Sequence, residues 1–444
     1  MRLPYLVVST IILFISNLVV RIMGFVYKIF LSRVLGETNL GIYHMIFNLL
    51  MICLSVTTTG VPTALSCLMA KNKALKDKHS SSVLFVSTLY ITFGISLAIS
   101  LVISLNSRFF AGKFLNNQNL NLLVLAIAPA IVIITISNVL RSYYYGIKKV
   151  KIPAVGQIIE QFCKIAFVYI IIMYVNNRAF NCYIALLGIS IGELSNIIFM
   201  IVKLWNDDSI FHKYSMKLSD FYNTSIETFK MSVPITCNRM FSIVLQSMSS
   251  MLIPSRLALS GFSYSKSLSL YGVINGMVMP FVFIPFTVGS ALVVNLIPSI
   301  SQEIALGKSQ SVKKKIIYSL MLTFTVGIVS SVFFFFAGET VCTFVFKNAL
   351  AGRYLKSMFL VPLFMSMNQT LSGILNAIRK EVNSSVNVIT GMTLQLIGLY
   401  FLLPVPSLNI NAYVYVMTLT SFITFVMHLV VLAKYFHHNT KTTK

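Results

Sequence analysis

Six ionisable side chains stand inside long apolar runs of this 444-residue sequence: Arg21, Lys28, Glu160, Lys164, Glu193 and Arg239. Arg141 sits toward the end of another such run. A charge placed in hydrocarbon costs about 2.5–3.5 kcal/mol on insertion scales, so each needs a partner, water or a ligand. The guanidinium groups of Arg21 and Arg239 present paired N–H donors, the geometry that grips phosphate or carboxylate. Each arginine has the alternative of pairing with a carboxylate such as Glu193. Lys28, two turns from Arg21, either extends the same basic path or reaches to the outer interface. Glu160 and Lys164 are spaced i,i+4 in the favourable order for a local ion pair, and Glu160 is also a candidate coupling-ion site. Glu193 has no neutralising neighbour in sequence. It reads as the partner of a distant arginine or as a proton or cation site.

The elements that must carry these residues are membrane spans. The chain is 57% hydrophobic and 10% charged, against roughly 25% charged in ordinary globular domains, so a soluble fold would lack a surface. Apolar runs of about 20 residues recur along it, continuous rather than alternating, which selects helices over a barrel. Twelve spans are expected, near 5–30, 41–68, 81–105, 119–145, 152–175, 180–203, 229–253, 269–297, 316–337, 355–377, 384–404 and 411–433. With both termini inside, 21 of the 35 Lys and Arg residues fall at cytoplasmic ends and nine outside. That bias sets the orientation and explains the net charge of +24 without nucleic acid. The first 20 residues look like a secretory signal but continue through Arg21 into a full span. Six cysteines are scattered singly, with no spacing for a metal or a disulfide framework.

The longest polar connection, 205–228, divides the chain into an N-lobe (1–204) and a C-lobe (229–437), followed by a cytoplasmic tail (438–444). Leu140-Arg141-Ser142 through Gly146-Ile147-Lys148-Lys149 lines up with Leu371-Ser372-Gly373 through Ala377-Ile378-Arg379-Lys380, each after the fourth span of its half. Six-span halves repeat in parallel about an axis along the membrane normal. Such an all-α, two-lobed plan with a central cavity serves transport by alternating access. Helix breakers concentrate in three spans and are gating candidates: Gly60 with Pro62 interrupting the second, Pro234 opening the seventh, and Pro280, Pro285 and Pro298 in the eighth. No nucleophile elbow, phosphate loop, HExxH or carboxylate cluster is present, so neither an enzyme nor a resident metal or cofactor is expected.

Arg21-Ile-Met-Gly24-Phe25-Val-Tyr27-Lys28, Leu31-Ser32-Arg33-Val-Leu-Gly36 and Thr59-Gly60-Val61-Pro62 resemble the stage V sporulation protein B group of the multidrug/oligosaccharidyl-lipid/polysaccharide exporter superfamily. Ile253-Pro254-Ser-Arg256, Leu270-Tyr271-Gly272, Asn275-Gly276-Met277 and Pro298-Ser-Ile-Ser301 agree in the second half, as does Arg141-Ser-Tyr-Tyr-Tyr-Gly146 with Gln157-Ile-Ile-Glu160-Gln161. The resemblance implies a flippase of the bacterial cell membrane for undecaprenyl-pyrophosphate-linked saccharide, a peptidoglycan precursor for spore cortex, with cell-wall synthases as candidate partners. By that resemblance Arg21 would engage the pyrophosphate. The related lipid II flippases have about fourteen spans against twelve here, and carry a cation in span 8 where this chain has Asn275. The rival readings are a multidrug or cation antiporter of the same fold and a membrane scaffold for sporulation enzymes.

Overall fold

Hydrocarbon offers no partner to backbone amides, so apolar runs of this length satisfy themselves as helices. The computed structural model is accordingly all-helical over its described residues, 5–75, 77–115, 117–175, 180–205, 218–306 and 308–442. Lys76, Arg178, Lys213, Lys217 and the chain ends, used above for orientation, lie outside them, as does 206–217 of the expected linker. The first half contains α1 (Tyr5–Thr57), α2 (Gly60–Ala74), α3 (Lys78–Leu105), the short α4 (Ser107–Leu115), α5 (Asn121–Gly146), α6 (Lys151–Val175) and α7 (Asn181–Trp205). The second contains α8 (Leu218–Ala258), α9 (Tyr264–Gly272), α10 (Met279–Ala305), α11 (Ser309–Phe346), α12 (Ala349–Ser357), α13 (Val361–Ala377), α14 (Glu381–Leu402) and α15 (Asn411–Thr442).

Among the described residues, nine helical stretches are long and apolar enough to cross a membrane, or ten when α12 and α13, bent by 55°, count as one broken span. The first of them, Ile15–Lys73, holds the first two expected spans. They join at Gly36, whose φ of 72° and ψ of 174° suit a residue without Cβ. α8 underlies the seventh expected span but is not among those stretches, since Arg239 and interleaved Ser, Thr, Asn and Gln residues dilute its apolar stretch. It also begins at Leu218, so Pro234 lies inside a continuous helix instead of opening one, and 218–228 of the expected linker is helical. Hydropathy registers lipid contact, not helix length. The polar first turns of α8 are helical all the same, with Thr228 Oγ1 donating to Thr224 O at 2.9 Å.

The chain forms two compact units. Unit 1 is Met1–Leu35 with Ile42–Ser247; unit 2 is Gly36–Gly41 with Met248–Lys444. The boundary between these units falls within α8, whose first part packs on α2. A Cβ added to Gly60 would overlap Ser232 O and Thr236 Oγ1, and Lys71 Nζ lies 3.4 Å from Glu227 Oε1.

Each unit is built in the same way. The core of unit 1 joins α2, α3, α5 and α7 through Leu65, Leu84, Tyr144 and Met200. That of unit 2 joins α10, α11, α13 and α15 through Ile300, Ile316, Leu371 and Leu432. These are the second, third, fourth and sixth spans of each half. The aligned segments also end alike. Lys148 (φ 62°) and Arg379 (φ 60°) are left-handed residues that close α5 and α13. Lys149 N–H donates to Tyr144 O at 2.9 Å and Lys380 N–H to Leu375 O at 2.8 Å. Glycine usually fills this position; here a cation faces the negative end of the helix dipole in both halves.

Candidate functional site

Three glycines decide how the charges of unit 1 meet. Gly188 and Gly192 stand one turn apart on α7, and Gly156 on α6. A Cβ at Gly192 would come within 2.8 Å of Glu160 O and 3.0 Å of Lys164 Cβ. One at Gly188 would overlap Val168, and one at Gly156 would overlap Asn196 Oδ1. Small residues at this spacing let two membrane helices approach backbone to backbone. The seam brings Glu160 of α6 beside Glu193 of α7. α5 packs against α7 and supplies Arg141.

The outcome is one cation between two carboxylates. Arg141 Nη2 lies 3.4 Å from Glu160 Oε2 and 3.5 Å from Glu193 Oε2, with side chains 17%, 14% and 10% exposed respectively. Glu193 therefore has an arginine partner from another span. Glu160 takes that same inter-helix partner, while Lys164 acts on both acids at longer range. The ammonium of Lys164 lies 5.3 Å from the ring centroid of Tyr27 on α1. Lys28, the next residue of α1, comes near enough to Lys164 to be repelled by it, and His44 feels the charge of Lys28. Asn196, a turn beyond Glu193, donates to Ser137 Oγ of α5 at 3.1 Å.

Arg21 and Arg239 are disposed differently. Both are exposed on the surface of unit 1, on α1 and α8. Among the described residues neither has a carboxylate partner, and Glu193 is already engaged by Arg141. Arg21, Lys28 and Arg239 are thus not drawn into one ion-paired network.

The helix breakers fall at several places. α1 ends at Thr57 and α2 begins at Gly60, with Pro62 in its first turn. Pro280 opens α10 immediately after a π-helical turn, Val273–Val278, that contains Asn275. Pro285 is buried within α10, and Pro298 belongs to the same helix. Single π-turns inside α-helices recur at functional positions, because the widened turn frees backbone groups. Among the described residues no three of His, Cys, Asp and Glu gather to hold a metal.

Sequence reasoning passed over Glu37. It lies in the Gly36–Gly41 segment of unit 2, where its carboxylate accepts from Ser269 Oγ of α9 and Asn348 Nδ2. Asn348 also caps α12, its Oδ1 accepting from Ala351 N–H at 3.0 Å. The available signal was an acid immediately after a glycine that breaks a helix. Arg141 was visible, but its role was not. Two carboxylates on the fifth and sixth spans called for a cation, and the fourth span held the nearest in topology.

Comparison with known proteins agrees with this architecture. The family model described as Polysaccharide biosynthesis protein matches residues 6–303, and the model named MatE matches 239–401. The chain is 25% identical to Stage V sporulation protein B of Bacillus subtilis (strain 168), over 90% of this chain and 78% of that one. It is 24% identical to Lipid II flippase MurJ of the same organism, over 36% of this chain and 31% of that one. A solved structure of a multidrug resistance MATE family transporter of the MOP superfamily superposes with a TM-score of 0.75 at 10% identity, covering 93% of this chain and 94% of the other. With two thirds of its length matched by the family model and a MOP-transporter fold throughout, the chain belongs to the Polysaccharide biosynthesis protein family as a multi-pass membrane protein.

Proposed function

We propose that this protein is a flippase that moves an undecaprenyl-pyrophosphate-linked saccharide outward across the bacterial cell membrane, both termini being cytoplasmic. The lobes 1–204 and 229–437 would alternate access to a basic cavity. The substrate would be a peptidoglycan precursor for spore cortex, delivered to cell-wall synthases. The supporting observation is Arg21, a guanidinium at span depth with no carboxylate partner among the described residues, in a chain of a polysaccharide-biosynthesis family. Arg21, with Lys28 and Arg239, would hold the pyrophosphate by charge-assisted bonds. Gly60, Pro62, Pro234, Pro280, Pro285 and Pro298 would supply the bends of the cycle.

The energetics are favourable without chemistry. A lipid pyrophosphate leaving an inside-negative cell moves down the potential, gaining about 2.3 kcal/mol per charge per 100 mV. A cation antiporter of the same fold would need free acids to receive its cargo, whereas Glu160 and Glu193 both face Arg141. Purified protein in liposomes with labelled lipid-linked precursor tests the reading. Precursor should become accessible at the opposite leaflet, faster with an inside-negative potential. No translocation of precursor, with export of a cationic dye instead, would replace the flippase by the antiporter. Silent Arg21 and Arg239 substitutions with intact sporulation would favour the scaffold.

A further inference from the structure

The two membrane-level carboxylates of unit 1 converge on a single nitrogen. Glu160 Oε2 and Glu193 Oε2 lie 3.4 and 3.5 Å from Arg141 Nη2 on different helices, only the first as a hydrogen bond, while among the described residues buried Arg141 Nε and Glu193 Oε2 have no hydrogen-bond partner. An arginine built to bind one carboxylate presents two parallel N–H groups. Here one corner of the guanidinium serves two anions, as a bound cation would. The two acids face it directly, Tyr145 of its own helix feels its charge, and Lys164 of α6, which lies over the ring of Tyr27 of α1, stands near both acids. Arg141 and Lys164 thus stand against two carboxylates, and a mobile cation entering would leave the site with excess positive charge.

We infer that Arg141 is a tethered cation occupying what would otherwise be a two-carboxylate site for a mobile ion, so that this site holds no exchangeable sodium ion in the working state. Removing the guanidinium opens that site. The consequence for coupling rests on the transport reading: the drive is then the potential acting on an anionic substrate. The ion-binding claim is independent of that reading and is tested without substrate.

The full chain in nanodiscs is unfolded thermally while sodium chloride replaces choline chloride at constant ionic strength, and again between pH 5.5 and 8. The wild type should show no saturable sodium response. Arg141→Gln should gain one, a rise in midpoint of about 2 °C or more. Adding Glu160→Gln and Glu193→Gln to Arg141→Gln should abolish it. Saturable sodium stabilisation of the wild type, lost in Glu193→Gln, would overturn the inference, and so would a folded Arg141→Gln with no response to sodium or pH. Should Arg141→Gln fail to fold, the wild type and Glu193→Gln still decide, since both must be insensitive to sodium. A flippase reading that fails in liposomes leaves these binding results standing.

Discussion

Arg141, Glu160 and Glu193 make an unequal triad, and the inequality can be measured. Each Arg141–carboxylate contact at about 3.5 Å is worth about 5 kcal/mol gross at an effective dielectric constant of 20, before the desolvation that offsets most of it. Arg141→Gln strips the cation from both acids. Burying carboxylates without compensation costs about 3–5 kcal/mol when a partner is removed. Glu193→Gln leaves Arg141 still facing Glu160 at 3.4 Å, so the loss shrinks to that of one ion-pair contact, offset by having one buried carboxylate fewer, and falls below about 3 kcal/mol. From the sequence alone, with Glu193 as the sole partner of an arginine, the larger figure would apply to it. The order should therefore be Arg141→Gln well below Glu193→Gln, with Glu160→Gln close to the latter. The triple Gln variant should recover much of what Arg141→Gln loses, because no buried charge remains. Equilibrium unfolding of the four variants in mixed micelles gives the order. Glu193→Gln as damaging as Arg141→Gln, or a triple variant worse than Arg141→Gln, would refute the shared-cation geometry.

Arg21→Ala should abolish precursor translocation in liposomes at near-normal membrane abundance, and Arg21→Lys should restore little, since a point charge replaces a fork; translocation at wild-type rate would remove the anion site from α1. Gly192→Val should prise α6 from α7, where even a Cβ meets Glu160 O at 2.8 Å, costing on the order of 1–3 kcal/mol in unfolding experiments; an unchanged midpoint would mean the seam is loose. Single cysteines at Lys73 and Lys313 should be labelled only from the cytoplasmic side, and labelling from outside intact cells would invert the topology. Asp77 caps α3, its carboxylate accepting from Ser80 N–H at 2.9 Å and Ser80 Oγ at 2.7 Å, and these bonds hold its pKa below the usual 3.8. A lowered folded pKa means its contribution is complete above the unfolded value and fades as pH falls through the folded one. Asp77→Ala should thus destabilise by about 1 kcal/mol at neutral pH, and the gap to wild type should close only below about pH 4. A gap that closes near pH 6 would exclude the cap as its cause.

The course of the helices was legible in the residues because lipid leaves an apolar run no other way to satisfy its backbone. Each of the twelve expected spans has a helix beneath it, and the repeat between Gly146-Ile147-Lys148-Lys149 and Ala377-Ile378-Arg379-Lys380 reappears as two left-handed turns of matching geometry. Arg21, Lys28, Arg239, Glu160 and Glu193 were visible for the same reason, since a charge stands out where the solvent is hydrocarbon. Which charge neutralises which was not visible. Glu160 had a favourable neighbour one turn away in Lys164, yet its carboxylate reaches across to α5, because the glycines of α6 and α7 bring three helices within side-chain range. Local spacing scores only the pairs on one helix, whereas the energy of a membrane charge depends on every cation near it in space. The early start of α8 and the capture of Glu37 by Ser269 and Asn348 share that cause: both are set by what packs alongside, and only the tertiary structure says what that is.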